Sequence, residues 1–214
     1  MSKNLYFGGS FDPVHLGHLI CARAAAEIIG CNQVVLIPTA ISPLKPRQDG
    51  VASATDRVKM LQLACSELPD MGATTAKCQP APAAIDVRFA VDDLEIHRPG
   101  PSYTIDTVRQ LVKQGEKRPC WLIGADGIAT LPKWHEAEKL MAEAELFVMA
   151  RPGWTFDFAT LPAAFAMLEQ HVVRGPQIEI SSTGIRERVR SGKSIDLLCP
   201  PSVCRYIRER GLYR

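Results

Sequence analysis

The 214-residue chain predicts an α/β fold, a doubly wound parallel sheet with helices on both faces. Three observations carry that expectation. Short, continuously apolar runs, VVLI at 34–37, CWLIG at 120–124 and LFVMA at 146–150, read as strands buried on both faces. Residues 5–37 read as strand, helix, strand, a βαβ unit that implies a parallel sheet with a right-handed crossover. With 46% hydrophobic residues the chain can bury a sizeable core, and its length fits one domain, 1–214, better than two.

The first strand runs into LYFGGSFDPVHLGH at 5–18. Gly8 and Gly9 let backbone N–H groups approach a ligand that any Cβ would push away, and Ser10 and Phe11 continue the turn. His15 and His18 are three residues apart, so a helix beginning near Pro13 would place them on one face of its first turn. The free N–H groups and positive dipole end of that helix favour an anion. Either feature alone is common in structural turns; the whole string reads as a phosphate-binding loop at the carboxyl end of the first strand, where such sheets bind ligands.

The helix at 19–29 stops at Gly30, a natural C-cap. After the strand at 34–37, the loop 38–51 carries three prolines and the basic pair Lys45 and Arg47. Ser53 and Asp56 open the next helix, 53–67, in capping-box fashion; Arg57 could face the loop, with a surface position as the plainer reading. Residues 70–84, rich in Ala, Pro and Thr, read as an irregular connection with at most one strand. A strand is expected over 90–97.

PSYTIDTVRQLVKQGE at 101–116 reads as a helix with Ile105, Val108, Leu111 and Val112 as its apolar stripe. Its start at Ser102, Tyr103 and Thr104 offers free N–H groups, although an ordinary cap explains the triplet equally well. Gly124 ends the strand 120–124, and Asp126 just beyond it is placed to accept hydrogen bonds from a ribose. Trp134 offers a flat face to a heteroaromatic ring, worth about 0.5–1.5 kcal/mol beyond area burial, with His135 beside it. A helical insert is expected over 154–174 and a last strand over 177–180. Ser181, Ser182 and Thr183 then cap a helix bearing Arg186, a second phosphate cradle. Gly192-Lys193-Ser194 mimics the end of a Walker A loop, but it follows a helix and Glu187 stands where the loop's first glycine is needed. Residues 200–213 read as a basic amphipathic helix that turns Val203, Tyr206 and Ile207 inward.

The net charge of +2 points to no particular partner. Residues 184–214 carry eight basic and three acidic side chains, which read as a solvated helical surface. Polymeric nucleic acid would need a larger basic patch with interleaved aromatics, so no nucleic-acid partner is expected. Seven cysteines without a CxxC pair or metal-ligand spacing suit a reduced, cytoplasmic protein, and no protein-held metal site is expected. No apolar run approaches the roughly 20 residues that cross a bilayer, and residues 1–5 are too short and polar for a secretory leader, so no membrane partner is expected. The oligomeric state stays open, a homo-oligomer included.

GGSFDPVHLGH resembles the HxGH signature of the nucleotidyltransferase superfamily, and ISSTGIR resembles its second signature. With PSYT, GAD after a strand, a following tryptophan, RPG and the closing YIRERGLYR, the order is similar to that of bacterial nicotinate mononucleotide adenylyltransferases. The resemblance covers nearly the whole chain except about 70–90 and 154–175. It implies a Rossmann-like fold of the HxGH type with a small C-terminal helical part, 181–214. It also implies AMP transfer from ATP to nicotinate mononucleotide, with Mg2+ as cofactor and these two small molecules as partners. By it, Gly8, Gly9, Ser10, Phe11, His15, His18, Gly124, Asp126, Ser181, Ser182, Thr183 and Arg186 would bind ATP. Lys45, Thr104, Ile105, Trp134 and His135 would bind the acceptor, and His15, His18, Lys45 and Arg186 would be catalytic. The family's second loop usually reads PxxPHK; Leu44 stands at the histidine position here, which shifts the expectation to Lys45. Two alternatives remain: another HxGH adenylyltransferase, such as the pantetheine-phosphate enzyme, and a non-catalytic nucleotide-binding regulatory module.

Overall fold

The polypeptide opens with β1 (Asn4–Gly9), α1 (Leu16–Ile29) and β2 (Gln33–Pro38), the expected βαβ unit with parallel strands. The computed structural model describes residues 3–43, 50–68, 86–150 and 153–214. The expectations for Leu44, Lys45 and Arg47, for 70–84 and for Arg151 and Pro152 fall outside the described residues. The chain continues through α2 (Ala54–Glu67), β3 (Arg88–Val91), α3 (Thr104–Lys113), β4 (Cys120–Gly124), α4 (Ala125–Ile128), α5 (Ala137–Glu143), β5 (Glu145–Met149), β6 (Val172–Val173), α6 (Ser182–Arg190) and α7 (Pro201–Glu209).

The strands form one parallel sheet in the order β3-β2-β1-β4-β5-β6. This is the doubly wound arrangement read from the sequence. Successive strand residues face opposite sides, so Leu5, Leu36 and Leu122 enter one core while Tyr6, Ile37 and Ile123 enter the other. The first core is closed by α1, α2, α6 and α7, through Ala22, Met60, Ile185 and Val203; the second by α3, α4 and α5, through Ile105, Ile128 and Leu140. That double coverage is why the runs 34–37, 120–123 and 146–149 are continuously apolar rather than alternating. Each fully buried Leu or Ile is worth about 1.5–3 kcal/mol. The strand order reverses between β1 and β4, so their carboxyl ends border the crevice where ligands bind in such sheets.

Several boundaries differ from the sequence reading. The strand expected over 90–97 is β3, earlier and shorter, because Asp92 Oδ1 accepts from Leu94 N at 3.0 Å and folds the chain into a turn. Val112 is 41% exposed and lies outside the stripe formed by Ile105, Val108 and Leu111. The segment 154–174 is not an α-helical insert: two 3-10 stretches, Phe158–Thr160 and Ala163–His171, lead into β6. The strand expected over 177–180 is absent, and β6 takes the sheet edge instead. Gly175 and Pro176 follow it, and a proline has no N–H to continue the ladder.

Candidate active site

Helix α1 begins at Leu16, not near Pro13, and His15 is its N-cap. His18 N donates to His15 Nδ1 and His15 N donates to His18 Nδ1, both at 3.3 Å, a capping box built from two imidazoles. The rings stack with centroids 3.6 Å apart. Each Nδ1 faces a backbone N–H of the first turn, which leaves Nε2 as the ring nitrogen on the far side of each imidazole. The pair stands at the N-terminus of α1, His15 buried and His18 half-buried. Gly17 makes the stack fit: a Cβ there would lie 3.0 Å from His15 Nδ1.

The loop between β1 and α1 is gripped from distant parts of the chain. Arg57 donates from Nη1 to Ser10 O at 2.7 Å and is 6% exposed, so it is no surface residue; α2 aims it under the loop. Burial lowers the Arg57 pKa and Asp12 opposes that shift. Asp12 is itself buried, and its Oδ1 accepts from Ala52 N at 2.9 Å and from Tyr213 Oη at 2.7 Å. Burial and the Asp12 charge push the Tyr213 phenol well above its usual range, so it stays a donor. Phe11 adopts φ 48° and buries its ring edge-on to Phe7 and His18, at 5.5 and 5.1 Å. Gly8 and Gly9 lie in β1, where packing demands their lack of Cβ. A Cβ on Gly8 would come within 2.7 Å of Trp121, and one on Gly9 within 3.1 Å of Phe11.

The second signature docks on the first. Arg186 Nη1 donates to Asp12 O at 2.8 Å and stands 3.8 Å from Asp12 Oδ2, while Nη2 reaches Thr183 Oγ1 at 3.3 Å. Ser182 Oγ donates to Pro13 O at 2.9 Å, and Ser181 Oγ accepts from Gly184 N at 3.1 Å as the N-cap of α6. Leu16 N, at the start of α1, donates to Leu198 O at 2.9 Å. A cleft of about 240 Å³ opens here, lined by Glu179, Ile180, Ser181, Gly184, Ile185, Arg188 and Leu198.

Across the crevice, Gly124 ends β4 as Gly9 ends β1, each two residues past the paired Phe7 and Leu122. Asp126 follows, exposed in the first turn of α4. The structure thus brings Gly8, Gly9, Ser10, Phe11, His15, His18, Ser181, Ser182, Thr183 and Arg186 together, with Gly124 at the end of the facing strand and Asp126 in the helical turn after it.

The expected acceptor residues form a second group. No side chain caps the N-terminus of α3, where Thr104 and Ile105 begin; the Ile105 side chain is fully buried, which leaves its backbone N–H as the group to meet a ligand. The Tyr103 and His135 rings lie 4.4 Å apart and join this helix start to Trp134, whose Nε1 donates to Thr130 Oγ1 at 3.3 Å. Ser102 ties the same turn to the chain after β2: its N donates to Ile41 O at 2.9 Å and its Oγ accepts from Ala40 N at 3.1 Å. Behind it Thr107 Oγ1 donates to the buried Glu95 at 2.6 Å, and burial raises the Glu95 pKa against the pull of that bond. Lys45 lies outside the described residues.

Sequence reasoning missed Asp12, Gly17 and Tyr213. Asp12 and Gly17 stand inside the quoted signature and Tyr213 inside the closing YIRERGLYR; for Arg57 the structure selects the loop-facing alternative over the surface one.

The cytidylyltransferase-like family model matches residues 6–188. A relative from Serratia proteamaculans named "Probable nicotinate-nucleotide adenylyltransferase" is 39% identical, with 97% of this chain and 94% of the relative covered. One of the same name from Herpetosiphon aurantiacus is 37% identical over 96% of each. Among solved structures, the nicotinic acid mononucleotide adenylyltransferase of Plasmodium falciparum complexed with NaAD superposes with a TM-score of 0.74 at 18% identity, covering 100% of this chain and 98% of that one. Its complex with APC gives 0.69 at 17% identity over the same shares. At these identities the superpositions speak for the fold.

Proposed function

Because the chain belongs to the cytidylyltransferase-like family and, within it, to the nicotinate-nucleotide adenylyltransferases, we propose that it transfers AMP from ATP to nicotinate mononucleotide, a step of NAD biosynthesis. The observation that carries this reading is the docking of the two signatures at the sheet's reversal point, Arg186 on Asp12 O and Ser182 on Pro13 O, beside two stacked imidazoles that share one helix start.

The chemistry needs no protein nucleophile. A phosphate oxygen of the mononucleotide attacks the α-phosphorus in line, the bond to the bridging oxygen breaks, and pyrophosphate leaves. What the chain contributes is orientation and charge stabilisation. His18 donates from Nε2 to the α-phosphate as charge develops, His15 orients the phosphates, and Arg186 neutralises them while holding the loop. Lys45 is the cation expected from the second loop. The cleft between α6 and Leu198 suits the adenine, and Asp126 the ribose.

The pyridine ring stacks on Trp134 beside His135. Its carboxylate meets the backbone N–H groups of Thr104 and Ile105, where the helix dipole favours negative charge over a neutral amide. Among the described residues no three His, Cys, Asp or Glu side chains converge as metal ligands, and the loop's donors are N–H groups suited to phosphate. Mg2+ would accordingly be held by the phosphates of the nucleotide rather than by carboxylates of the chain, and would supply charge neutralisation on the triphosphate and on pyrophosphate. Residues 1–214 form one catalytic domain in this reading, with 181–214 part of the donor site.

Pyrophosphate release with ATP and Mg2+, compared across nicotinate mononucleotide, nicotinamide mononucleotide and phosphopantetheine, tests the assignment. Release with the first alone is expected. Release with phosphopantetheine alone would move the chain to the other HxGH branch, and silence with all three from folded, ATP-binding protein would make it a regulatory module.

A further inference from the structure

Arg109 stands on α3 and turns its donors onto two carboxylates of the neighbouring segment. Nη1 and Nη2 fork onto the two oxygens of Glu136, each at 3.0 Å. Nε and Nη2 reach Glu143 at 3.1 and 3.0 Å. Glu136 also meets Lys139 Nζ at 2.6 Å and His135 Nε2 at 3.5 Å.

The cations converge on the carboxylate of a residue with an uncommon backbone. It holds φ 50° and ψ 41°, the left-handed region that a long side chain rarely adopts. Two residues earlier comes Trp134, which donates from N to Leu131 O at 3.0 Å and accepts at O from Ala137 N at 3.2 Å. The direction of the Trp134–His135 segment is therefore set by a turn whose central residue would, unanchored, relax toward another conformation. A planar guanidinium that engages a carboxylate through two parallel bonds fixes orientation as well as distance.

We propose that Arg109 is a positioning residue for the acceptor: by clamping Glu136 it holds the left-handed turn that sets Trp134 and His135 against the start of α3. This rests on the nicotinate mononucleotide reading given above. Arg109 and the Thr104–Ile105 start belong to one helix, so the two walls of the acceptor site are joined through one side chain. The inference separates this residue from the phosphate-handling half, which Arg109 does not touch.

The test is steady-state kinetics of Arg109→Ala against each substrate in turn, with binding of nicotinate mononucleotide followed by quenching of tryptophan emission. A misplaced binding group is expected to raise KM and Kd for nicotinate mononucleotide about tenfold, within the up-to-hundredfold cost of a 1 Å displacement. KM for ATP should stay within about twofold, because the loop contacts are untouched. A general loss of structure would move both constants and the thermal midpoint together, and that result, or unchanged acceptor constants, overturns the proposal. The double variant Arg109→Ala/Glu136→Gly sharpens it, since glycine adopts the left-handed backbone without a clamp. Recovery of most of the acceptor affinity is expected; a double variant as impaired as Arg109→Ala overturns the backbone-holding role. Wild-type protein that releases no pyrophosphate with nicotinate mononucleotide would sink the underlying reading, and is distinguishable because no variant is needed to see it.

Discussion

The two halves of the candidate site are held by opposite means. The phosphate half rests on buried side chains that bond backbone carbonyls and one buried carboxylate: Arg57 to Ser10 O, Arg186 to Asp12 O, Tyr213 to Asp12 Oδ1. The acceptor half rests on a half-exposed ion network, with Arg109, Glu136 and Glu143 at 33%, 26% and 34% side-chain exposure. Charge-assisted bonds out of water are worth more singly and are costly to leave half-made. Exposed pairs are worth little each, so that half depends on geometry and number. The phosphate half should therefore fail through single substitutions, and the acceptor half by degrees.

The largest expected effect tests the first statement. His18→Ala should lower kcat about 10²–10³-fold, the loss seen when a preorganised donor to developing charge is removed, in protein that stays folded although the lost capping contact lowers its stability in urea by about 0.5–2 kcal/mol. Turnover near wild type would remove His18 from the transition state. Next comes the acid-selective end of the other half. A helix N-terminus favours a carboxylate by up to about 2 kcal/mol, roughly thirtyfold, so kcat/KM for nicotinate mononucleotide should exceed that for nicotinamide mononucleotide by up to that factor. Equal use of both would break the assignment of the carboxylate to Thr104 and Ile105.

Tyr213→Phe probes the buried scaffold without touching substrate. Loss of a hydrogen bond to a charged group should cost about 1.5–3 kcal/mol in urea unfolding, and no loss would mean that Asp12 finds water instead. The phenol's pKa is raised on folding. Its contribution is thus complete below the ordinary tyrosine value near 10 and fades as pH rises above it. Stability should be flat from pH 7 to 9 and fall beyond 10, with a shallower fall in Tyr213→Phe.

The smallest effect belongs to the exposed network. Glu136 has its pKa lowered to about 2, first by the Arg109 bond and then by Lys139. A depressed carboxylate keeps its contribution above its ordinary value and loses it as pH falls toward 2, so Kd for nicotinate mononucleotide should not change between pH 7 and 5 on its account. Glu136→Gln should leave the urea midpoint within error; a large drop would show that the two halves are not held so differently.

Legibility followed the same division. The strands at 34–37, 120–124 and 146–150 were readable because burial on both faces leaves no room for polar residues. The two signatures were readable because phosphate chemistry restricts the residue types beside a backbone. For Arg57 the sequence favours the surface over the loop-facing placement that the structure shows, since a helical arginine looks the same whether it faces solvent or the underside of a loop. The strand expected at 177–180 was misplaced because IEI is apolar enough to pair, but β6 already occupies the edge and Pro176 interrupts the ladder. Glu136 gave no signal at all, because glutamate carries no preference for the left-handed turn that it adopts.

By itself the sequence determined the layered α/β architecture, the glycine-histidine loop after the first strand and its partner motif, because hydrophobic period and the demands of close backbone approach are local properties written residue by residue. Only the tertiary structure decided which distant charges meet: Tyr213 on Asp12, Arg186 on the same loop, Arg109 on Glu136. Such pairings depend on where the chain returns in space, and a charge's partner is chosen by proximity and burial rather than by its neighbours along the chain.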